Sequence, residues 1–216
     1  MRILGLSQPT SGCGFHRIVL PLGYMDGVKG YVTNEPTLEK LAEGWDILFY
    51  NRLSLWDNDW ATVRKELKCK IVIDMDDDWT LPPNHLMFFN YKEIQPRIEN
   101  NIREADMVIC TNENLASRIY PLNKNVHIVP NALPYGSHQF QPDKREDERI
   151  RIFWAGGVTH EPDIKILSNP VKRLGIFSDK IKMVIAGYAD SDPNSKRIWD
   201  NMFNDFTYSG RLPWMK

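Results

Sequence analysis

Val126 to Asp163 reads VHIVPNALPYGSHQFQPDKREDERIRIFWAGGVTHEPD, and its three parts decide the fold. Val126–Val129 is a short apolar strand signal. It stops at Pro130, which has no N–H for a sheet ladder, and at Asn131, which tolerates turn conformations. The charged run from Lys144 to Arg149 has no hydrophobic periodicity and cannot bury itself. Ile150–Ala155 alternates weakly and is apolar enough to be buried on both faces, as a central parallel strand would be, and it ends at Gly156–Gly157. A structureless loop of this length is uncommon inside one compact domain, so two sheets are expected on either side of it.

Outward from this stretch, short apolar runs alternate with helical patterns in both directions. Upstream, strands are expected at Arg2–Leu6, Asp46–Tyr50, Lys70–Ile73, Met107–Cys110 and Val126–Val129. Helices are expected between them: over Phe15–Tyr24, over 36–43 with Pro36 near the first turn, and over Asp57–Leu67 with Trp60, Val63 and Leu67 on one side. Two more are expected from Tyr91 with Ile94, Ile98 and Ile102 in register, and over Leu115–Tyr120 behind a polar cap region. Downstream, a helix over 161–174 leads to a strand at Lys182–Ala186 and Gly187, with a third strand at Phe206–Gly210. The alternation predicts an α/β chain of two Rossmann-like domains with parallel sheets, residues 1–142 and 150–216 about a charged linker at 143–149. The second domain reads as incomplete, since it holds fewer than half of the about 150 residues usual for its type.

The 216 residues are 42% hydrophobic, enough for a real core, and the formal net charge of −1 gives no chain-wide argument for nucleic acid or an anionic membrane surface. Cys13, Cys69 and Cys110 have no CxxC spacing and fit a reducing compartment. No apolar run approaches the roughly 18 residues of a membrane span, and Met1 leads directly into a strand signal. The expected location is cytoplasmic, with room for peripheral contact at the inner face of a membrane.

Three places can carry chemistry. The loop after the first strand holds Gly12 and Gly14, whose backbone can approach an anion at the start of a helix, and Arg17 can add a fork for phosphate or carboxylate. A dinucleotide fingerprint needs a third glycine, but Phe15, His16 and Arg17 follow instead. At the carboxyl end of Lys70–Ile73 comes Asp74-Met75-Asp76-Asp77-Asp78-Trp79. Carboxylates this close repel and need a cation, hydrogen-bond donors or a raised pKa. Asp74 can close the strand by accepting backbone N–H bonds, Asp76 and Asp77 can act as base or hold sugar hydroxyls, and a hard divalent metal is a further use of the cluster. Pro82 and Pro83 hold His85 near the same crevice, as a catalytic candidate or as a plain loop residue.

The ordered set of motifs resembles the GT-B glycosyltransferases, in particular the retaining, nucleotide-sugar-dependent group. The matching residues are the loop Ser11–Arg17, the element ADMVICTNENL at 105–115, the exit VPNA at 129–132 with Phe140 and Pro142, and FWAGG at 153–157. The resemblance implies donor contacts from Gly156, Gly157 and Gly187 and acceptor contacts from first-domain loops. It leaves His160 and Lys165 as the nearest cationic candidates for the donor phosphates. That family's paired glutamates, seven residues apart in the donor domain, have no counterpart here, and the DxD metal motif of the other large glycosyltransferase fold is not carried over. The activity implied is transfer of a sugar from a nucleotide-sugar to a glycan, lipid or other hydroxyl acceptor, with no tightly bound cofactor or metal. A missing segment or partner chain would complete the donor domain. Two rivals stand beside it: a non-catalytic binding or assembly subunit, and a metal-dependent phosphoryl-transfer enzyme using Asp74–Asp78.

Overall fold

The computed structural model describes residues 1–7, 12–34, 37–53, 68–85, 87–136, 148–156, 160–177, 179–188, 197 and 211–213. The expected helix at Asp57–Leu67 and strand at Phe206–Gly210 lie outside these residues. The chain divides into two compact units, Met1–Phe140 and Gln141–Lys216.

The first unit is a six-stranded, wholly parallel sheet in the order β2-β1-β3-β4-β5-β6. The strands are β1 (Arg2–Leu6), β2 (Lys29–Thr33), β3 (Ile47–Asn51), β4 (Lys70–Met75), β5 (Met107–Cys110) and β6 (Val126–Ile128). Strand β2 was not anticipated: it sits at the sheet edge and is largely exposed, so its apolar signal is thin. Alternate side chains feed two cores. Leu4, Leu48, Tyr50, Ile71, Ile73, Met75, Val108 and Cys110 face one side, where Ile98 and Ile102 of α3 (Phe88–Glu104) and Leu115 and Ile119 of α4 (Glu113–Ile119) cover them. Ile3 and Phe49 face the other side, packed by Ile18 and Leu22 of α1, the helical segment from Gly12 to Tyr24.

Helix α1 is one helical segment made of an α-turn at Gly12–Gly14, a π-helical stretch at Phe15–Val19 and an α-helical stretch at Leu20–Tyr24. A short α2 (Leu38–Ala42) follows β2, with Thr37 accepting from the Lys40 amide at 3.2 Å as its N-cap. Helix α3 begins at Phe88, ahead of the Tyr91 start the periodicity suggests, and it carries Pro96 inside it. Because β1 is followed by β2 on one side and by β3 on the other, the winding reverses between β1 and β3. In open α/β sheets ligands bind at such a switch, outside the carboxyl ends of the strands.

The second unit has a parallel sheet of β7 (Ile150–Ala155), β8 (Ile181–Tyr188) and β9 (Arg211–Pro213), with α5 (Glu161–Leu174) and a 3-10 turn at Gly175–Phe177. Here one expectation is corrected. Strand β7 does not lie in the middle of the described strands but at an end, and Ile150 and Phe153 are 67% and 61% exposed. Apolar side chains on both faces show that a strand suits burial, and they do not specify a neighbour on each side. No helix among the described residues is long and apolar enough to cross a membrane.

Candidate functional site

The chemistry-bearing side chains of the first unit gather at the carboxyl edge of β1, β3 and β4, at the switch point. Strand β3 ends in Asn51 and leads into Arg52, β4 ends in Asp74 and Met75 and leads into Asp76–Asp78, and the α1 start supplies Cys13. Asn51 Nδ2 donates to Asp74 Oδ2 at 2.9 Å and to Asp76 Oδ1 at 3.0 Å. The Arg52 guanidinium donates to Asp76 Oδ1 from Nε (3.1 Å) and Nη2 (2.9 Å), and Nη2 also reaches Asp77 Oδ2 at 2.8 Å. Its Nη1 donates to the Tyr91 hydroxyl of α3. Thr111, after β5, donates from Oγ1 to the Asp76 carbonyl at 3.2 Å.

These contacts separate the carboxylates by role. Asp76 is only 10% exposed. Burial works to raise its pKa, but the Arg52 charge and hydrogen bonds from Cys13, Asn51 and Arg52 outweigh it and hold the group below the usual carboxylate range. Asp77 is 66% exposed, so it offers an ionic partner to Arg52 and a face to solvent. Asp78 closes a turn: Oδ1 accepts from the Thr80 amide (2.8 Å) and hydroxyl (2.9 Å), and Oδ2 pairs with Arg118 of α4. Among the described residues the partners of the Asp74 carboxylate are side chains, Arg17 and Asn51, and not the backbone amides expected of a strand cap. It faces the α1 side, where Arg17 Nε and Nη2 reach its Oδ1 at 2.9 and 2.6 Å. Burial raises the Asp74 pKa against the hydrogen bonds and charge of Arg17 and the hydrogen bond from Asn51.

Of the proposed loop residues, Gly12 and Gly14 form the first turn of α1 and Arg17 is buried. The Arg17 fork is engaged by the protein: Nη1 donates to the Val129 carbonyl (2.8 Å) and to Asn131 Oδ1 (3.1 Å), tying the exit segment to β4. His85 belongs to the approach to α3, with Nδ1 accepting from the Met87 amide at 3.0 Å. The crevice therefore brings together Asp76 and Asp77 of the expected catalytic set, joined by Asn51, Arg52, Tyr91 and Cys13, which sequence reasoning passed over. Applying to β3 the rule used for β4, that side chains at the carboxyl end of a parallel strand enter the crevice, would have flagged Asn51 and Arg52.

Cys13 Sγ and oxygens of Asp76 and Asp77 lie within 4.8 Å of one another, a donor set that could hold a metal. A cation already stands there, since Arg52 Nη2 is 3.6 Å from Cys13 Sγ and bonded to both carboxylates. The Cys13 thiol is pushed up to about 12 by burial and by its hydrogen bond to Asp76, so beside Arg52 it is held as a neutral group. Against the other face of the sheet, an apolar cavity of about 500 Å³ opens between α1 and Val129–Pro134, floored by Ile3, Phe49, Val72 and Ile109. Its lining is apolar apart from His16 and Arg17, and Arg17 is engaged with Asp74, Val129 and Asn131.

In the second unit Gly156 is buried immediately after β7, and a Cβ on it would run into the Trp154 ring. His160 precedes α5 and its Nδ1 lies 2.9 Å from Asp163 Oδ2. Lys165 lies on α5, and Gly187 lies within β8, where pairing with β9 shifts register between Ala186 and Tyr188. Gly157 lies outside the described residues.

No protein-family model matches the sequence, and no curated protein does. Solved structures do. One is MnaA from S. aureus in complex with UDP, at TM-score 0.60 and 10% identity over 98% of this chain and 68% of that one. Another is a candidate UDP-N-acetylglucosamine 2-epimerase from Listeria monocytogenes, at TM-score 0.59 and 9% identity over 100% of this chain and 69% of that one. At such identities the likeness is one of fold: two Rossmann-like α/β units of GT-B type.

Proposed function

We propose that this chain acts on a nucleotide-sugar and serves glycosyl transfer, moving the sugar to a hydroxyl of a glycan or lipid acceptor. The observation that carries this is the crevice at the β1/β3 switch point, where Asp76 and Asp77 are held together by one guanidinium. An ionised Asp76 with a depressed pKa is a weak proton acceptor and a strong hydrogen-bond acceptor, which suits holding hydroxyls. Asp77, more exposed, is the better placed of the two to meet an incoming hydroxyl. On the donor side, the glycine pair at 156 and 157 is the proposed contact for a diphosphate, and the α5 start carries roughly half a positive charge. The same groups would stabilise the diphosphate as it leaves. His160, Lys165 and Gly187 complete the proposed donor set. The reaction needs no bound metal on this account, and a further segment or a partner chain would complete the donor half.

A second reading draws on the two solved neighbours: the same donor would be epimerised at C2 instead of transferred. The test begins with calorimetric titration of the full chain with UDP, GDP and their sugar conjugates, repeated on Gly157→Trp. Saturable binding lost in the variant supports a donor site, and product analysis after incubation with the bound nucleotide-sugar and alcohol acceptors then separates transfer from epimerisation. Absence of binding by every nucleotide overturns the donor assignment and leaves a binding or assembly role.

A further inference from the structure

The two faces of the first sheet are not equally covered. On β4 and β5 the side chains of Ile71, Ile73, Val108 and Cys110, which point toward α3 and α4, are at most 1% exposed, whereas Val72 and Ile109 between them are only half-buried. Inner strands of a parallel sheet are ordinarily buried on both faces. The space over Val72 and Ile109 is the apolar cavity of about 500 Å³ between α1 and Val129–Pro134, a volume in the range of small-molecule sites. Its α1 wall runs from His16 to Tyr24, about 12 Å at 1.5 Å per residue. Its floor reaches from Ile47 and Met107, at the amino ends of β3 and β5, to Phe49 and Ile109 further along.

Three properties of the cavity name its occupant. Arg17 is engaged with Asp74, Val129 and Asn131, and the His16 ring packs edge-on to Phe15 with centroids 5.2 Å apart, so burying a charged group against this lining is costly. Met1, Met25 and Met107 lie along it, the first two 59% and 47% exposed, and unbranched thioethers adapt to apolar guests of varied shape. The lining also presents far less surface than the roughly 800 Å² that each partner of a stable protein interface buries, so its guest is a small molecule and not a second copy of the chain. Arg17 connects the cavity to the crevice: it bonds Asp74, and Asn51 bonds both Asp74 and Asp76. We propose that the cavity holds the hydrocarbon chain of a lipid whose hydroxyl head is the acceptor at the crevice. The acceptor half rests on the glycosyl-transfer reading, and the binding half stands without it.

The test titrates the full chain, carrying ¹³C-methyl methionine, with 1-alkanols from butanol to decanol. The methyl resonances of Met1, Met25 and Met107 should move together, and affinity should rise about fourfold for each added methylene until the cavity is filled. Leu133→Asp places a charge in the wall at a residue that is 57% exposed, so the fold should hold while decanol binding weakens about tenfold. Phe89→Asp, at an exposed residue outside the lining, should leave decanol binding unchanged. Affinity that does not grow with chain length, methionine signals that stay in place, or full decanol binding by Leu133→Asp overturns the proposal. So does a ligand-free dimer that Leu133→Asp dissociates, since a second copy would then occupy the cavity. Incubation with the nucleotide-sugar the chain binds decides the acceptor half: decanol should be glycosylated in preference to butanol, and the reverse preference overturns that half. If neither alcohol is glycosylated, the glycosyl-transfer reading fails, and the chain-length series and the methionine signals still decide whether the cavity takes a hydrocarbon chain.

Discussion

Arg17 Nη2 lies 2.6 Å from Asp74 Oδ1, and the two side chains are 5% and 0% exposed. The pair joins the π-helical stretch of α1 to β4, and through Val129 and Asn131 it also fixes the segment by which the chain leaves the first unit. Removing one member of a buried pair strands the other charge, at a cost of about 3–5 kcal/mol. Asp74→Asn and Arg17→Met should each lose stability on that scale in urea denaturation. The double replacement Arg17→Met with Asp74→Leu should lose clearly less than the sum. Single losses below about 1 kcal/mol would show that the pair is wetted and dispensable, as exposed pairs are.

Gly5 is required by packing. A Cβ built on it would stand 2.9 Å from Ile18 Cγ2 and from Leu22 Cδ1, and 3.3 Å from Val32 Cγ2. Leu22 can move the end of its side chain, but Ile18 Cγ2 is attached next to its backbone, so α1 would have to lift. Gly5→Ala should therefore destabilise the first unit by about 1–3 kcal/mol, the usual range for overpacking. Because α1 carries Cys13 and Arg17, amide exchange should rise along Phe15–Tyr24 as well. A stability unchanged by the methyl would mean that α1 seats loosely on β1.

The alternation of strands and helices was legible because burial on a parallel sheet demands apolar runs, and β1, β3, β4 and β5 supply them. Strand β2 was not, since an exposed edge strand such as KGYVT needs few apolar residues. The Asp cluster was visible as a charge problem, but its solution was not. Arg17 is 57 residues from Asp74 and Arg52 is 24 from Asp76, and no local pattern pairs groups across such separations. His85 is a site candidate by its place in the sequence, and the bond its Nδ1 accepts from the Met87 amide, two residues on, was not legible there. The position of β7 within its sheet was beyond sequence because strand order depends on partners as well as on apolar content.

Acid should reveal Asp76. Its folded pKa is depressed below the usual carboxylate range, so it contributes stability in full above the unfolded value, and that contribution is lost as pH falls through the folded value. Asp74 has the opposite sign: its raised folded pKa means that its ionisation costs stability as pH rises from the unfolded value through the folded one. Melting temperatures of wild type and Asp76→Asn between pH 2 and 7 should therefore differ by a constant amount above about pH 5 and converge on acidification. A gap that widens as pH falls would contradict the depressed pKa of Asp76.

Gly156 tests two explanations of one residue. It is buried at the end of β7, and a Cβ on it would fall 2.7 Å from Trp154 Cζ2 and 3.2 Å from Cζ3. Glycine could thus be required by the tryptophan ring, by close backbone approach of a donor diphosphate, or by both. Gly156→Ala should shift Trp154, read as a change in tryptophan emission, with a loss of about 1–3 kcal/mol if the ring cannot rotate away. The same variant should weaken UDP binding if the backbone at this turn meets the phosphates. Trp154→Leu separates the causes, because it removes the ring that the new methyl would strike. If UDP binding by Gly156→Ala recovers in the Trp154→Leu background, the glycine serves the ring and the donor is held elsewhere. If binding stays weak while stability recovers, the methyl itself blocks the approach of the diphosphate, and Gly156 belongs to the donor site.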